Sequence, residues 1–444
     1  MDKLKQLSKK INNNSILLYS GHYDFDEALN SFQVDHNFFY VTQLEIPNLA
    51  ILFHHPKNQL FFFVDFQSPV WFANCSFLSS LGDKFSDETR QIRNRTKKLS
   101  TETDYLNNCS ILGNLRENIY PLNKLKKYTQ DLSIIYSQSN LPDFLKSDLP
   151  KIEETSIDHI CQQQRVLKNS FEINSIRTAC QISSRAIRKI ITNGRSFKNE
   201  QEIVSFFKQD VLNDHVDKMA YLPICSNGVK NSVLHYTYNQ HPISKGNLIL
   251  LDIGCQYQNY CSDITRTFPA SGKFSLPQRK IYQAVLNCQK RAIQKLTAGF
   301  SWRELERETR LDIYRELLSL KLVSPQSSIE DQIEISRLFM PHGLGHTVGL
   351  KVHDCNPVGG LDILEENMVV AVEPGIYFIE HLMVNKMINQ REVSKYLQVG
   401  GVRIEDTILV TSTKARVLSS IPKEISQIEE MMNSREMKKS HKKK

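Results

Sequence analysis

The stretch that most constrains this chain is Leu251-Asp252-Ile253-Gly254 through Tyr260-Cys261-Ser262-Asp263-Ile264-Thr265. Two short apolar runs, 247–254 and 260–268, flank a polar Gln-Tyr-Gln-Asn-Tyr centre, a pattern that predicts a β-hairpin. Each arm carries one carboxylate on otherwise apolar ground. An ionised group buried without a partner is costly, because nothing there replaces its hydration. Two of them, eleven residues apart on facing arms, call for a shared cation. The expected occupant is a pair of divalent metals, and the rest of the chain is weighed by what it can add to them.

A chain of 444 residues implies two or three domains. Its 40% hydrophobic and 23% charged content fits a soluble globular protein with ample core. Runs such as Phe61-Phe62-Phe63-Val64 and Met368-Val369-Val370-Ala371-Val372 are too short to span a bilayer. No apolar segment follows Met1-Asp2-Lys3-Leu4-Lys5 as in a secretory signal. A cytoplasmic location with no membrane partner is therefore expected. Of the net charge of +8, residues 435–444 contribute +5 through six Lys/Arg and one Glu. The excess reads as a disordered basic tail rather than a nucleic-acid surface. Nine cysteines, an odd set from Cys75 to Cys355 without a C-x-x-C pair, suit reduced packing thiols. Cys255 and Cys261 beside the hairpin centre are included.

Prolines 142 and 150 interrupt the periodicity and place a boundary near 155. The expected organisation is an N-terminal domain over 1–155, a catalytic domain over 156–434 and the tail over 435–444. Asn37 to Val41, Asn48 to Phe53 and Leu60 to Val64 read as strands, the last two joined by a turn at Pro56-Lys57-Asn58. The aromatic cluster that includes Trp71 and Phe72 reads as packing. The polar, basic stretch 81–131 shows no chemistry. His54-His55, with no carboxylate nearby in sequence, reads as surface. Helical spacing appears over 156–168, 171–191, 200–212, 277–297 and 302–320.

His342 and His346 stand at the i, i+4 spacing of helical zinc proteases. Gly343 and Gly345 between them each cost a helix about 1 kcal/mol, and the Glu expected after the first His is Gly343. A loop or bent strand that points His346 inward fits better. Glu373 and Glu405 also lie on apolar strand-like ground. Four acids and one imidazole suit oxygen-rich ligation, which favours Mn²⁺ over a thiolate-type zinc site, with Co²⁺ and Zn²⁺ as alternatives. Four carboxylates balance two divalent ions before a bridging hydroxide is added. Such a pair lowers the pKa of bound water and polarises a carbonyl, chemistry suited to amide hydrolysis. His235, His342, His353 and Arg403 then remain to stabilise an oxyanion or bind a carboxylate.

These segments, with Pro341 to His346, Val352-His353-Asp354, Glu373-Pro374-Gly375-Ile376-Tyr377 and Gly401 to Asp406, resemble the pita-bread metallopeptidases over about 160–430. The chain looks most like Xaa-Pro dipeptidase, with aminopeptidase P as near relative. Around Asn37 to Tyr40 it is also similar to the family's N-terminal domain. The resemblance implies an α+β fold, a pita-bread catalytic domain preceded by a smaller α/β domain. It implies that Asp252, Asp263, His346, Glu373 and Glu405 are the ligands, with Asp263 and Glu405 bridging. Glu373 would shuttle a proton, while His235 and His353 contact substrate. His342 and Arg403 would take supporting places, and Tyr221 would lie near the metals. It further implies a homodimer and a peptide substrate with proline after the cut.

Dipeptidases of this kind hold the substrate carboxylate with an arginine between the Val-His-Asp and Glu-Pro-Gly segments. Here Cys355 to Asn367 has no arginine, and its Asp362, Glu365 and Glu366 would repel a carboxylate. Phe378 to Leu382 and the insertion before Gly400 nevertheless look like the dipeptidase. Ala371 replaces a threonine often found in the family. The first expectation is thus hydrolysis of Xaa-Pro dipeptides, and the second an aminopeptidase P acting on longer peptides. A metal-free binding scaffold is the reading from another class. Keeping four buried acids without metal would be strongly destabilising, which argues against it.

Overall fold

A computed structural model describes residues 2–11, 14–20, 34–42, 49–64, 119–137, 141–147, 149, 151–153, 155–216, 218–355, 362–379 and 385–441. Trp71, Phe72, Cys75, most of 81–131, 356–361 and Glu380 to Leu382 lie outside them. The chain divides into two compact units, Met1–Gln164 and Arg165–Lys444.

The first unit is built on a six-stranded sheet. Its strands are β1 (Ser15–Tyr19), β2 (Leu49–His54), β3 (Gln59–Val64), β4 (Ile119–Pro121), β5 (Ile134–Ser137) and β6 (Lys151–Glu153), in the order β4-β3-β2-β1-β5-β6. β1 and β2 are buried at every position, which is why they are continuous apolar runs without alternation. Two expectations fail here. Asn37 to Val41 is not a strand but lies in the helix His36–Thr42. Aromatic content suggested a strand, but Asp35 starts a helix by accepting from the Phe38 amide at 2.9 Å. His54 is not at the surface: it is fully buried, with Nε2 3.0 Å from Asp131. That partner is 77 residues away in sequence.

In the second unit, strands β7 (Ile224–Asn227), β8 (Leu248–Asp252), β9 (Gln256–Tyr257), β10 (Tyr260–Cys261) and β11 (Thr265–Pro269) surround the organising stretch. β8 is central, antiparallel to both β7 and β11. β9 and β10 form a small hairpin at its tip, turned by Gln258 and Asn259 at positive φ. The expected hairpin is present, interrupted where Ser262 to Ile264 leave the strand path. β12 (Val369–Val372), β13 (Gly375–Tyr377), β14 (Gly401–Arg403), β15 (Asp406–Leu409) and β16 (Arg416–Val417) make two more small sheets.

Helices Ser170–Asn193, Glu200–Leu212, Leu276–Lys295, Trp302–Ser319 and Ile329–Phe339 supply the apolar cover. The first begins with a capping box between Asn169 and Glu172, and the second with an Asn199 cap. The helix Ile425–His441 carries the chain into the basic tail. Among the described residues no helix is long and apolar enough to cross a membrane. Seven described cysteines are free and buried.

Candidate metal centre

Asp252 is the last residue of β8, and its backbone pairs with Thr265 on β11. Asp263 sits in the interruption between β10 and β11. Thr407 fixes it there: the Asp263 amide donates to Thr407 Oγ1 at 3.1 Å, and that hydroxyl donates to the Asp263 carbonyl at 2.7 Å. The two arms cross so closely at Gly254 that a Cβ would collide with the Ser262 carbonyl oxygen.

His346 lies in a loop laid along β12, not in a helix. The Ala371 amide donates to the His346 carbonyl at 2.8 Å and the Glu373 amide to the Leu344 carbonyl at 2.9 Å. Gly345 permits this approach, since a Cβ there would strike the Ala371 carbonyl oxygen. Glu373 follows β12 directly, and Glu405 stands between β14 and β15. The pairings Val372 with Asp406 and Gly375 with Arg403 bring those two acids to one place.

One acid of the hairpin meets His346 and Glu405 directly. Asp263, His346 and Glu405 each offer a ligand atom, and these atoms all lie within 4.8 Å of one another. His346 Nε2 is 3.3 Å from Asp263 Oδ2 and 3.7 Å from Glu373 Oε1. Arg403 reaches the remaining pair, with Nη2 2.7 Å from Asp252 Oδ2 and Nε 4.0 Å from Glu373 Oε2. Tyr221 donates to Asp252 at 2.5 Å, and Thr265 donates to Glu405 at 2.7 Å.

The electrostatics show a surplus of negative charge. Burial, then repulsion from Asp263, Asp252 and Glu373, holds the Glu405 carboxyl well above its ordinary range. Burial also raises Asp252, against the pull of Arg403. Glu373 is pushed up to about 7 by burial, which His346 and Arg403 only partly oppose. For His346 burial favours the neutral ring, but contact with Asp263 and Glu373 reverses this and lifts it to about 9. One guanidinium and one imidazole thus face four carboxylates. A cluster rich in oxygen donors, with a single ring nitrogen and unbalanced charge, fits hard or borderline divalent cations. His346 Nδ1 donates to the Thr347 carbonyl at 3.1 Å, which turns Nε2 toward the acids.

The other expected residues take two kinds of place. His342 Nδ1 donates to the Gly343 carbonyl at 2.8 Å, so Nε2 accepts from Tyr377 at 2.9 Å. Tyr377 in turn accepts from Arg403 Nη1 at 3.0 Å. Both ring nitrogens of His342 are thereby occupied, and burial with the nearby Arg403 charge depresses it to about 3. Its place is in a chain of hydrogen bonds that ends on Asp252. His353 is different: its ring stands edge-on to His346 with centroids 4.2 Å apart. Burial, then the neighbouring His346, disfavours the protonated form of His353, and His235 is exposed. Tyr377, Thr265 and Thr407 were not singled out from the sequence. Their roles depend on strand crossings that no local pattern reveals. In the stretch after Cys355, the described residues Asp362, Glu365 and Glu366 are exposed.

A profile of metallopeptidase family M24 matches residues 174–412. An uncharacterized peptidase of Saccharomyces cerevisiae is 30% identical over 433 residues, covering 90% of this chain and 75% of that protein. A Xaa-Pro aminopeptidase of Haemophilus influenzae is 38% identical over 275 residues, 61% of this chain and 62% of its own length. Among solved structures, the aminopeptidase PepP of Pseudomonas aeruginosa superposes with a TM-score of 0.79 at 24% identity, over 98% of each chain. Aminopeptidase P from Escherichia coli gives 0.77 at 20% identity, covering 98% of this chain and 99% of that one. The architecture they share with this chain is the pita-bread fold with a smaller N-terminal region.

Proposed function

Since this chain belongs to metallopeptidase family M24, we propose that it releases the N-terminal residue from peptides whose second residue is proline, with two divalent ions held by Asp252, Asp263, His346, Glu373 and Glu405. The observation that carries this reading is the convergence of four acids and one imidazole whose charges the protein itself leaves unbalanced. Oxygen-rich donors favour Mn²⁺ as the ion. The dipeptidase expectation becomes the second reading for two reasons. Similar proteins include Xaa-Pro aminopeptidases, and the exposed acids at 362, 365 and 366 offer nothing to a dipeptide carboxylate.

When bound, the ions lower the pKa of a coordinated water and polarise the scissile carbonyl. Glu373 accepts a proton from the attacking water and returns it to the departing proline nitrogen, which carries no hydrogen of its own. His353, edge-on to His346, and His235 at the exposed rim donate to the substrate carbonyl as it gains negative charge. Arg403 holds Asp252 and Tyr377 in register, and His342 holds Tyr377 from the other side.

Assays of Ala-Pro and Ala-Pro-Ala side by side on Mn²⁺-loaded protein test the reading. Faster turnover of the tripeptide is expected. Cleavage of the dipeptide alone would transfer the assignment to the second reading, and cleavage of neither would overturn both.

A further inference from the structure

Away from the metal centre, Glu200 is fully buried at the start of the helix Glu200–Leu212. It forms no ion pair among the described residues. Its carboxylate instead accepts from Asn227 Nδ2 at 2.8 Å, the Tyr236 hydroxyl at 2.9 Å and the His241 amide at 2.9 Å. Burying a carboxylate is costly unless hydrogen bonds replace its water, so this placement stabilises whatever shape those donors require. The donors belong to one segment, 227–241, which carries His235. Backbone bonds close the same segment onto the helix start, from Glu200 N to the His241 carbonyl at 3.1 Å and from Ile243 N to the Lys198 carbonyl at 2.8 Å. The Tyr236 ring packs with Ile224 of β7 and Leu250 of β8, the strand that ends on Asp252. His235, one residue earlier, is left exposed.

We propose that Glu200 is a positioning residue for peptide hydrolysis: by fixing Tyr236 and His241 it orients the loop that presents His235 to the substrate. The inference rests on the role given to His235 under the proposed function. An acceptor-only group is required, because Oε2 receives two donors and Oε1 receives a third. A glutamine of the same shape must aim an amide N–H at one of those donors. If its oxygen stays on the Tyr236 hydroxyl and the His241 amide, that N–H meets Asn227 Nδ2, and the Asn227 amide cannot flip without giving up Pro242 and Asn247, so the loop loosens while the apolar packing stays.

The test compares wild type with Glu200→Gln, Tyr236→Phe, His235→Ala and the double variants with His235→Ala, all Mn²⁺-loaded, on Ala-Pro-Ala. Glu200→Gln is expected to lower kcat/KM about tenfold or more, as small misplacements of substrate contacts do. Its bound Mn²⁺ should be unchanged, and once His235 is already alanine the same substitution should cost less than about twofold. An equal loss in both backgrounds, the mark of a general structural defect, would overturn the inference. So would wild-type rates in Glu200→Gln or in His235→Ala. Should Glu200→Gln not fold, Tyr236→Phe is read by the same rule, since it removes one donor and keeps the ring. A wild type inactive on the peptide would overturn the proposed function, and this inference with it. An active wild type with equal losses overturns the inference alone.

Discussion

Glu405 and Asp406 are neighbours in the chain, both almost completely buried, at 1% and 0% exposure. Their protonation is nevertheless driven in opposite directions. Burial would raise Asp406, but Arg266 and Lys423 more than reverse it and hold the carboxyl below its ordinary range. Arg266 Nη2 donates to Oδ1 at 2.7 Å, while Lys423 Nζ and Gln289 Nε2 donate to Oδ2 at 2.6 and 3.0 Å. Among the described residues the Glu405 carboxylate accepts a hydrogen bond only from the Thr265 hydroxyl, and it faces three other acids. Asp354 repeats the Asp406 pattern. Arg165 and Lys168, both buried, reach it at 2.5 and 3.2 Å, and it too is held low against its burial. Asp406 and Asp354 each have two cationic partners of their own, whereas the four acids at the centre share one guanidinium, Arg403, and one imidazole, His346. On the proposed function, the missing charge comes from outside.

The contrast can be broken from either side. The largest effect is expected at the centre: Asp263→Asn should lower kcat/KM by about a thousandfold or more, some 4 kcal/mol of transition-state stabilisation. The melting temperature of its metal-free form should not fall, because one member of a repelling set has gone. Wild-type rates would remove Asp263 from the ligand set. Next comes Asp406→Asn, which leaves Arg266 and Lys423 buried without their anion. Urea unfolding should show a loss of about 3–5 kcal/mol. A loss near zero would mean that the two acids do not differ in kind.

Adding Mn²⁺ at about a hundredfold excess over its Kd should stabilise the wild type by about 2.7 kcal/mol for each ion bound, and Asp263→Asn much less. Equal thermal shifts in the two proteins would place the binding elsewhere. The smallest effect is one of pH. Asp354 has a folded-state pKa below its unfolded value, so its contribution is complete above the unfolded pKa and is lost as pH falls through the folded one. Acid titration of stability should therefore fall more steeply below about pH 4 in the wild type than in Asp354→Asn. Parallel curves would contradict the ion-pair account of Asp354.

What could be read in advance follows from how local each signal is. The hairpin around Asp252 and Asp263 was legible because a carboxylate on a buried strand is an anomaly visible within ten residues. The same holds for the loop at His346, where two glycines argued against a helix. The helix Glu200–Leu212 was legible from its apolar spacing. The helix Ile329–Phe339 was not read, although Ser328 caps it by accepting from the Asp331 amide. Asn37 to Val41 has the aromatic content of a strand, but Asp35 accepts from the Phe38 amide and caps a helix there. His54 misled because its partner Asp131 comes from a distant segment. The support given by Tyr377 to His342 and Arg403 was also invisible, since it exists only once β13 and β14 are paired.

On the proposed function, side chains from five separated positions form one cation-binding centre. Calorimetric titration of the metal-stripped protein with Mn²⁺, run beside Asp263→Asn, tests it most directly. About two ions are expected to bind per wild-type chain, with a lost or greatly weakened isotherm in the variant. A wild type that binds no Mn²⁺, or a variant that binds it equally well, would contradict it.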